Sequence, residues 1–483
     1  MSNTTIGIIG GGYIGAATAI HLARCSHEPL NICIVETSST LGGGVAFSAP
    51  DRDHRLNAPT GIHFLYPENT ESFTEWHETS GAKAGDPESI AVDGRVYARR
   101  ADFGVYMAAE LTTHQKKNPS RSTIKHYQDT AISLSKSNGD WCIELLSGTN
   151  INSKIVLFTP CNLRPAIPAQ LQKLAAHPAM FTNPWDLARF TEIASDAKVL
   201  IIGTGLTMAD VASTLLRDGP KRKIIALSRR GLLPQGQRSH PPSQPLWVSL
   251  NRPVPAFVER HGKPKTALAI LRAFRADIAR LNAQGIEWHV VFDELRDAAR
   301  ELWPSLPLAE QQCYFRHLSP WYETHRFRLP PQVADKLAGY QRDGRLVYRA
   351  GHLINVNAKD NSFQVGLRTR GHENATTENF DAVINCTGPE RDPKRAGNPF
   401  MAHLVSNGLA TPSPFGLGLE VDKSCQSLSI NRVPVNNLFI LGPLTRNRFG
   451  EINGIPTIVK QIHQITQEIT NTAFLSIDSD SSW

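Results

Sequence analysis

The sequence predicts an α/β fold with two Rossmann-like units and a helical insertion, on three observations. Ile6–Ala23 reads IGIIGGGYIGAATAIHLA: an apolar run, Gly10-x-Gly12-x-x-Gly15, then small residues with helical spacing. Ala197–Leu216 reads AKVLIIGTGLTMADVASTLL and repeats the order of strand, glycine turn and helix. Each is followed by another apolar run with a polar end: LNICIVE closes at Glu36, and KIIALSRR closes at Ser228, Arg229 and Arg230. Each stretch therefore reads as a βαβ unit.

In the first unit Gly10 allows the tight turn off the strand. Gly12 lets backbone approach a pyrophosphate, and Gly15 lets the helix lie on the strand. The helix N-terminus then offers free N–H groups to the phosphates. Glu36 follows Gly15 by 21 residues, at the end of the next strand. A carboxylate there accepts from both ribose hydroxyls and repels a 2′-phosphate, which favours FAD or NAD over NADP. The next stretch, LGGGVAFS (Leu41–Ser48), gives a loop around Gly44 and Val45 able to cover a long cofactor, which favours FAD.

The second unit has Gly203 and Gly205, but Met208 where a third glycine falls, which loosens the helix–strand contact. Leu206 and Thr207 open its helix. Its strand end carries Ser228, Arg229 and Arg230 in place of an acid. A hydroxyl and guanidinium groups suit a 2′-phosphate, so the expected second cofactor is NADPH, with Arg229 its main contact. The fold class is thus α/β, with two Rossmann-like dinucleotide-binding domains (FAD and NADPH) and a helical insertion.

Between the units, WCIELL and KIVLF read as strands. LLPQGQRSHPPSQPLW after the second unit reads as a loop. TALAILRAFRADIARLNAQG and VFDELRDAARELW read as amphipathic helices. GRLVYRAG, FQVGLRT, DAVINCTGP and NLFILGP return to strands, and IPTIVKQIHQITQEIT closes the chain as a helix. The expected boundaries are 1–190 for the first part of the FAD domain, 191–345 for the NADPH domain with its insertion, 346–475 for the second part of the FAD domain, and 476–483 for a disordered tail.

The totals exclude several classes. The 483 residues are 41 % hydrophobic and 20 % charged, ordinary for a globular protein with a sizeable core. No apolar run reaches the roughly 18 residues of a membrane span. Met1–Thr5 leads straight into a strand with no basic flank, so neither a signal peptide nor a membrane partner is expected, and the expected location is the cytoplasm. The net charge is +7, but Lys and Arg are dispersed, so anionic cofactors are expected rather than nucleic acid. Seven cysteines form no C-x-x-C pair, and no metal motif occurs. The residues leave homo-oligomerisation open.

GGGVAFSAPDRDHRLNAPTG, NPWD, VLIIGTGLTMADVA, ALSRRGLLP, NCTGP and LFILGPLTRNRFGEINGIPTIVKQ resemble a bacterial family of FAD/NAD(P)-binding proteins of the NAD(FAD)-dependent dehydrogenase type. The resemblance spans about residues 5–470. That family is similar in layout to flavin-containing and N-hydroxylating monooxygenases, and includes enzymes that oxidise the amino group of an acidic amino acid in natural-product biosynthesis. Two departures stand out. The usual Ala-Thr-Gly is Thr159-Pro160-Cys161, although Cys386-Thr387-Gly388 is close to it, and an Asp found after a glycine in many flavoproteins is replaced at Gly442-Pro443. The resemblance implies an NADPH-dependent FAD monooxygenase that N-oxidises a small polar amine or amino acid with oxygen, through a flavin C4a-hydroperoxide. A reductase without oxygen insertion and a non-catalytic redox sensor remain alternatives.

In such an enzyme the cofactors carry the hard chemistry. Asn57, in HRLNAPTG, is a candidate to donate and accept at the reactive edge of the flavin, with His54 and Arg55 adding cationic character. Thr457, after Pro456, is placed to aim helix N–H groups at the flavin. Arg326, in WYETHRFRLPP, is a candidate clamp for a substrate carboxylate or a cofactor phosphate, and equally suits a structural ion pair. Trp321, His325 and Arg328 lie in the same segment, and His63 and Arg100 have the same standing as Arg326. Glu451 is a candidate to hold the flavin pocket. Thr387, Gly388, Gly442 and Pro443 complete the expected cofactor contacts.

Overall fold

The structure is a computed structural model that describes residues 3–160, 163–237, 246–390 and 392–471. Its strands in chain order begin with β1 (Thr4–Ile9), β2 (Leu30–Val35), β3 (Thr123–Tyr127), β4 (Ala131–Ser137), β5 (Asp140–Leu145), β6 (Asn150–Ser153) and β7 (Ile155–Phe158). There follow β8 (Met180–Phe181), β9 (Lys198–Ile202), β10 (Lys223–Ser228), β11 (Leu346–Lys359), β12 (Ser362–Thr369), β13 (Thr376–Phe380), β14 (Ala382–Asn385), β15 (Gln426–Leu428) and β16 (Pro434–Ile440).

The first sheet has the order β3-β2-β1-β7-β16-β15 and is parallel except for β15. Its central strands are apolar on both faces, as a covered parallel sheet requires. In β7, Ile155 and Leu157 join the core under the helices Tyr13–Cys25, Arg100–Lys116 and Ile455–Thr470. Val156 and Phe158 join the opposite core, under the small sheet β4-β5-β6 and the helix Pro399–Ser406. The closing helix shows why it docks: Ile455, Ile458, Val459, Ile462, Ile465 and Ile469 form one buried stripe at three- and four-residue spacing.

The second sheet has the order β13-β12-β11-β10-β9-β14-β8. This corrects the expected boundaries. Residues 346–385 do not return to the first unit: β11 pairs with β10 along Ile224–Ser228, and β14 pairs with β9 along Val199–Ile202. Met180–Phe181, expected in the first unit, also joins this sheet. The return comes only at β15 and β16. A strand such as Ala382–Asn385, buried throughout, carries no pattern that says which sheet it enters.

The helical insertion includes Ala256–His261, Ala267–Asn282, His289–Leu302, Leu308–His317 and Ser319–Arg326. The Thr266 hydroxyl caps the second of these by accepting the Ala269 N–H at 3.1 Å. Phe257, Phe274, Val291, Phe292 and Leu302 give the insertion its own core. The expected loop 232–247 is described in part; 238–245 lie outside the described residues, and a helix begins at Leu246. The expected tail, and Cys161, also lie outside them. Among the described residues no helix is long and apolar enough to cross a membrane.

Candidate cofactor and active site

The strand ends of the first sheet build one cradle. Gly10 has φ +107°, a conformation that glycine adopts without cost. At Gly15 a Cβ would lie 1.9 Å from the Gly10 carbonyl oxygen, so helix and turn touch only because position 15 is bare. Gly12 caps the helix and faces Gly44, where a Cβ would lie 3.5 Å from the Gly44 Cα. The loop bearing Gly44 and the exposed Val45 is tied down by the Gly42 N–H, which donates to the Gly11 carbonyl at 2.9 Å. The opening above the helix N-terminus is thus walled by backbone. Glu36 stands at its side: its Oε2 accepts the Gly11 N–H at 2.9 Å, and its Oε1 accepts from Ser38 N–H and the Thr37 hydroxyl. Oε2 keeps a lone pair for a further donor. Thr159, at the end of β7, donates to the Gly10 carbonyl at 2.8 Å and holds the turn.

The second cradle is built alike but is more open. Gly203 has φ +113°, and a Cβ there would lie 2.3 Å from the Cys386 carbonyl oxygen. Gly205 caps the helix Leu206–Asp218, and the space around it is empty. Leu206 and Thr207 form its half-buried first turn. Met208 does not loosen the unit: it is buried in the second core beneath the helix. Ser228 Oγ lies 2.9 Å from Thr204 Oγ1 and accepts the Gly231 N–H at 3.0 Å. Arg229 is exposed and has no hydrogen-bond or ion-pair partner among the described residues. Arg230 instead donates to the Arg316 carbonyl at 3.0 Å. Thr387 donates to the Ala166 carbonyl at 2.8 Å, and Gly388 has φ +91° with open space where a Cβ would be. Both follow β14, so they belong beside Gly203 in the second unit and not in the first cradle.

A buried junction joins the cradles. Arg100, opening the helix Arg100–Lys116, donates to both carboxylate oxygens of Asp210 at 2.6 and 3.1 Å. Asp210 lies in the helix that starts at Leu206. Arg100 also donates to the Arg55 carbonyl at 2.9 Å and to Asn57 Oδ1 at 3.3 Å, while Gln237 donates to the Asn57 carbonyl at 2.7 Å. Further along the same helix, Arg217 donates to Asp51 and Asp53, and Thr214 donates to Asp51 at 2.7 Å. Burial pushes the Asp51 carboxyl up, but hydrogen bonds from Arg217 and others outweigh it and hold it well below the usual carboxylate range. Asn57 is therefore no isolated loop amide; it sits where the two units meet.

Other expectations are corrected. Arg55 adds no free cationic charge, because it is buried and makes a two-pronged pair with Asp86 at 2.7 and 3.0 Å. His54 lies 3.1 Å from the Thr214 hydroxyl within the same junction. Arg326 is held by Glu451 at 2.7 Å, and the other Glu451 oxygen accepts from the Tyr322 hydroxyl at 2.6 Å. Glu451 thus acts through its side chain, tying the insertion to the first unit, and Arg326 is not an unpaired clamp. Arg328 is likewise paired, with Asp293 at 2.9 Å. The Thr457 hydroxyl turns back to the Gly454 carbonyl at 2.8 Å, inside the first turn of the closing helix. Gly442, with φ +82°, lies against Ile14 of the first dinucleotide helix, where a Cβ would fall 2.2 Å from Ile14 Cδ1. Its N–H donates to the buried Gln461 at 2.7 Å, and Pro443 opens the next turn.

Sequence reasoning missed Asp210, Asp51 and Arg217. One signal was available: Thr207, Asp210, Thr214 and Arg217 fall on one polar face of the helix Leu206–Asp218, and a buried carboxylate there demands a partner.

The model of a family described as FAD-NAD(P)-binding matches residues 7–162. No curated protein sequence matches the chain. Among solved structures, ornithine hydroxylase (PvdA) of Pseudomonas aeruginosa is similar at 16 % identity and TM-score 0.62, covering 97 % of this chain and 99 % of that one. Ornithine N-hydroxylase KtzI of Kutzneria sp. 744, with reduced FAD, NADP⁺ and L-ornithine, is similar at 13 % identity and TM-score 0.62, covering 97 % and 99 %. The cadaverine monooxygenase DfoA of Erwinia amylovora, bound to FAD, is similar at 11 % identity and TM-score 0.62, covering 98 % and 96 %. Residues 7–162 are thus similar to FAD-NAD(P)-binding proteins, and along nearly its whole length the chain shares a two-unit α/β fold with these two ornithine hydroxylases and the cadaverine monooxygenase.

Proposed function

We propose that the protein is an FAD-containing, NADPH-dependent monooxygenase that hydroxylates an amine nitrogen. The observation that carries this reading is the pair of unlike cradles joined by the Arg100–Asp210 ion pair. One has a carboxylate, Glu36, at the strand end and suits FAD; the other has the exposed Arg229 and suits NADPH. The fit rests on the chain itself: the backbone-walled opening between Gly12 and Gly44, and the empty space at Gly205, are places where side chains would fill the path of a pyrophosphate. The fold shared with N-hydroxylating enzymes supports the reaction type.

When bound, FAD supplies the two-electron and oxygen chemistry. The residues of the chain do the rest. Glu36 Oε2 holds a ribose hydroxyl, and Arg229, backed by Ser228, holds the 2′-phosphate of NADPH. Arg100 orients the Asn57 amide at the junction. In balance, NADPH, a proton, oxygen and R–NH₂ give NADP⁺, water and R–NHOH, one oxygen atom going to nitrogen and the other to water. The test is amine-dependent turnover of the FAD-loaded protein, with NADPH, oxygen and hydroxylamine followed together. One hydroxylamine per NADPH and per oxygen supports the reading. NADPH oxidation with an added electron acceptor and no hydroxylamine from any amine would replace it with the reductase reading.

A further inference from the structure

A cavity of about 100 Å³ lies between the helical insertion and the segment that follows β16. Ile270, Leu295, Leu302, Trp303, Phe315 and Leu417 make its wall apolar. Trp303 meets Tyr314 and Phe315 edge-on, with ring centres 5.6 and 5.4 Å apart, so one side is a packed aromatic surface. The charged groups of the described lining are Arg446 and Glu451. Glu451 is already committed to Arg326 and Tyr322, and Arg446 faces Glu323 at 3.7 Å.

The cavity adjoins the segment that leaves the carboxyl end of β16. Its inner wall includes Gly450 and Glu451, on the segment that starts at Gly442 beside Ile14 of the first dinucleotide helix. Ligands of open α/β sheets lie at this carboxyl edge of the strands. The insertion is seated on that segment: a Cβ at Gly450 would lie 2.7 Å from the Ala299 carbonyl oxygen.

We propose that this cavity receives the body of the substrate and that this body is an aromatic or branched aliphatic group, not the short polar chain implied by the sequence resemblance. The chemistry done on such a substrate rests on the monooxygenase reading; its binding does not. A wall of Leu, Ile and aromatic rings favours an apolar guest over a charged one. The second ammonium group of a short diamine would enter without a free carboxylate to meet it, and burying a charge unpaired is unfavourable. Arg446 would repel it as well.

The test is calorimetric titration of the FAD-loaded protein with 2-phenylethylamine and with putrescine, each of which carries a primary amine. The expected result is at least tenfold tighter binding of 2-phenylethylamine. Leu295→Glu and Ile270→Glu, at half-buried wall positions and checked for retained FAD, should each shift that ratio at least tenfold toward putrescine. Putrescine binding as tightly as 2-phenylethylamine, no binding of either, or an unchanged ratio in both variants would overturn the proposal. Tight 2-phenylethylamine binding without any hydroxylamine product from either amine would overturn the monooxygenase reading alone and leave the cavity assignment standing.

Discussion

Arg100 and Asp210 join the two nucleotide units through a two-pronged ion pair, 2.6 and 3.1 Å long, with both residues buried. Arg100 starts a helix of the first unit, and Asp210 lies one turn into the helix whose N-terminus forms the second cradle. The pair thus sets the position of one phosphate cradle relative to the other.

Removing one partner leaves a buried charge without compensation. Asp210→Ala should lower unfolding stability by about 3–5 kcal/mol. It should also slow reduction of bound flavin by NADPH while FAD stays bound, because the first cradle is untouched. Denaturant unfolding and stopped-flow absorbance check the two effects separately. A stable variant reduced at the original rate would show that the pair does not govern the junction.

Arg229→Ala tests the 2′-phosphate contact. A hydrogen bond to a charged group contributes about 1.5–3 kcal/mol, so KM for NADPH should rise by about 10- to 100-fold. KM for NADH, which lacks that phosphate, should stay unchanged. Equal rises for both nucleotides would remove Arg229 from the cofactor site.

Gly12→Val tests the first cradle. The new side chain would occupy the opening opposite Gly44, where a Cβ already lies 3.5 Å from the Gly44 Cα. The purified variant should be colourless, with FAD occupancy reduced at least tenfold. Full occupancy would place the pyrophosphate elsewhere.

Acid should destabilise the first unit through two buried histidines. Burial lowers His21 and His63 from 6.5 to about 4, and each donates one ring N–H to a backbone carbonyl, that of Leu65 and of Pro59 respectively. A depressed histidine stays neutral in the folded state while the unfolded chain takes up a proton below 6.5. The stability this represents is present above that value and is lost as pH falls from 6.5 toward 4. From pH 7 to pH 5 the loss should be about 2 kcal/mol for each. Unfolding followed at both pH values checks it; His63→Gln should show a smaller pH dependence than the parent protein.

The cradles were legible in the sequence because their residue types are forced by contact. Gly10, Gly15 and Gly203 cannot carry a side chain where they stand, and the polar residues Glu36 and Arg229 directly follow the ends of β2 and β10. The junction was hidden for the opposite reason. Arg100 and Asp210 are 110 positions apart, and nothing local reveals which buried charge meets which. Pairing also settled the meaning of visible residues: Arg55 reads as an available cation, and Arg326 as either a clamp or an ion pair, until Asp86 and Glu451 are seen to hold them. The strand run 382–385 was legible as a strand, but its sheet was decided by register with β9.

One chain is expected to hold FAD and NADPH in communicating sites. The most direct test is anaerobic titration of the purified, FAD-loaded protein with NADPH while the flavin absorbance is recorded. Bleaching should be complete at one NADPH per flavin, with NADH far less effective. A flavin that stays oxidised under excess NADPH would contradict it.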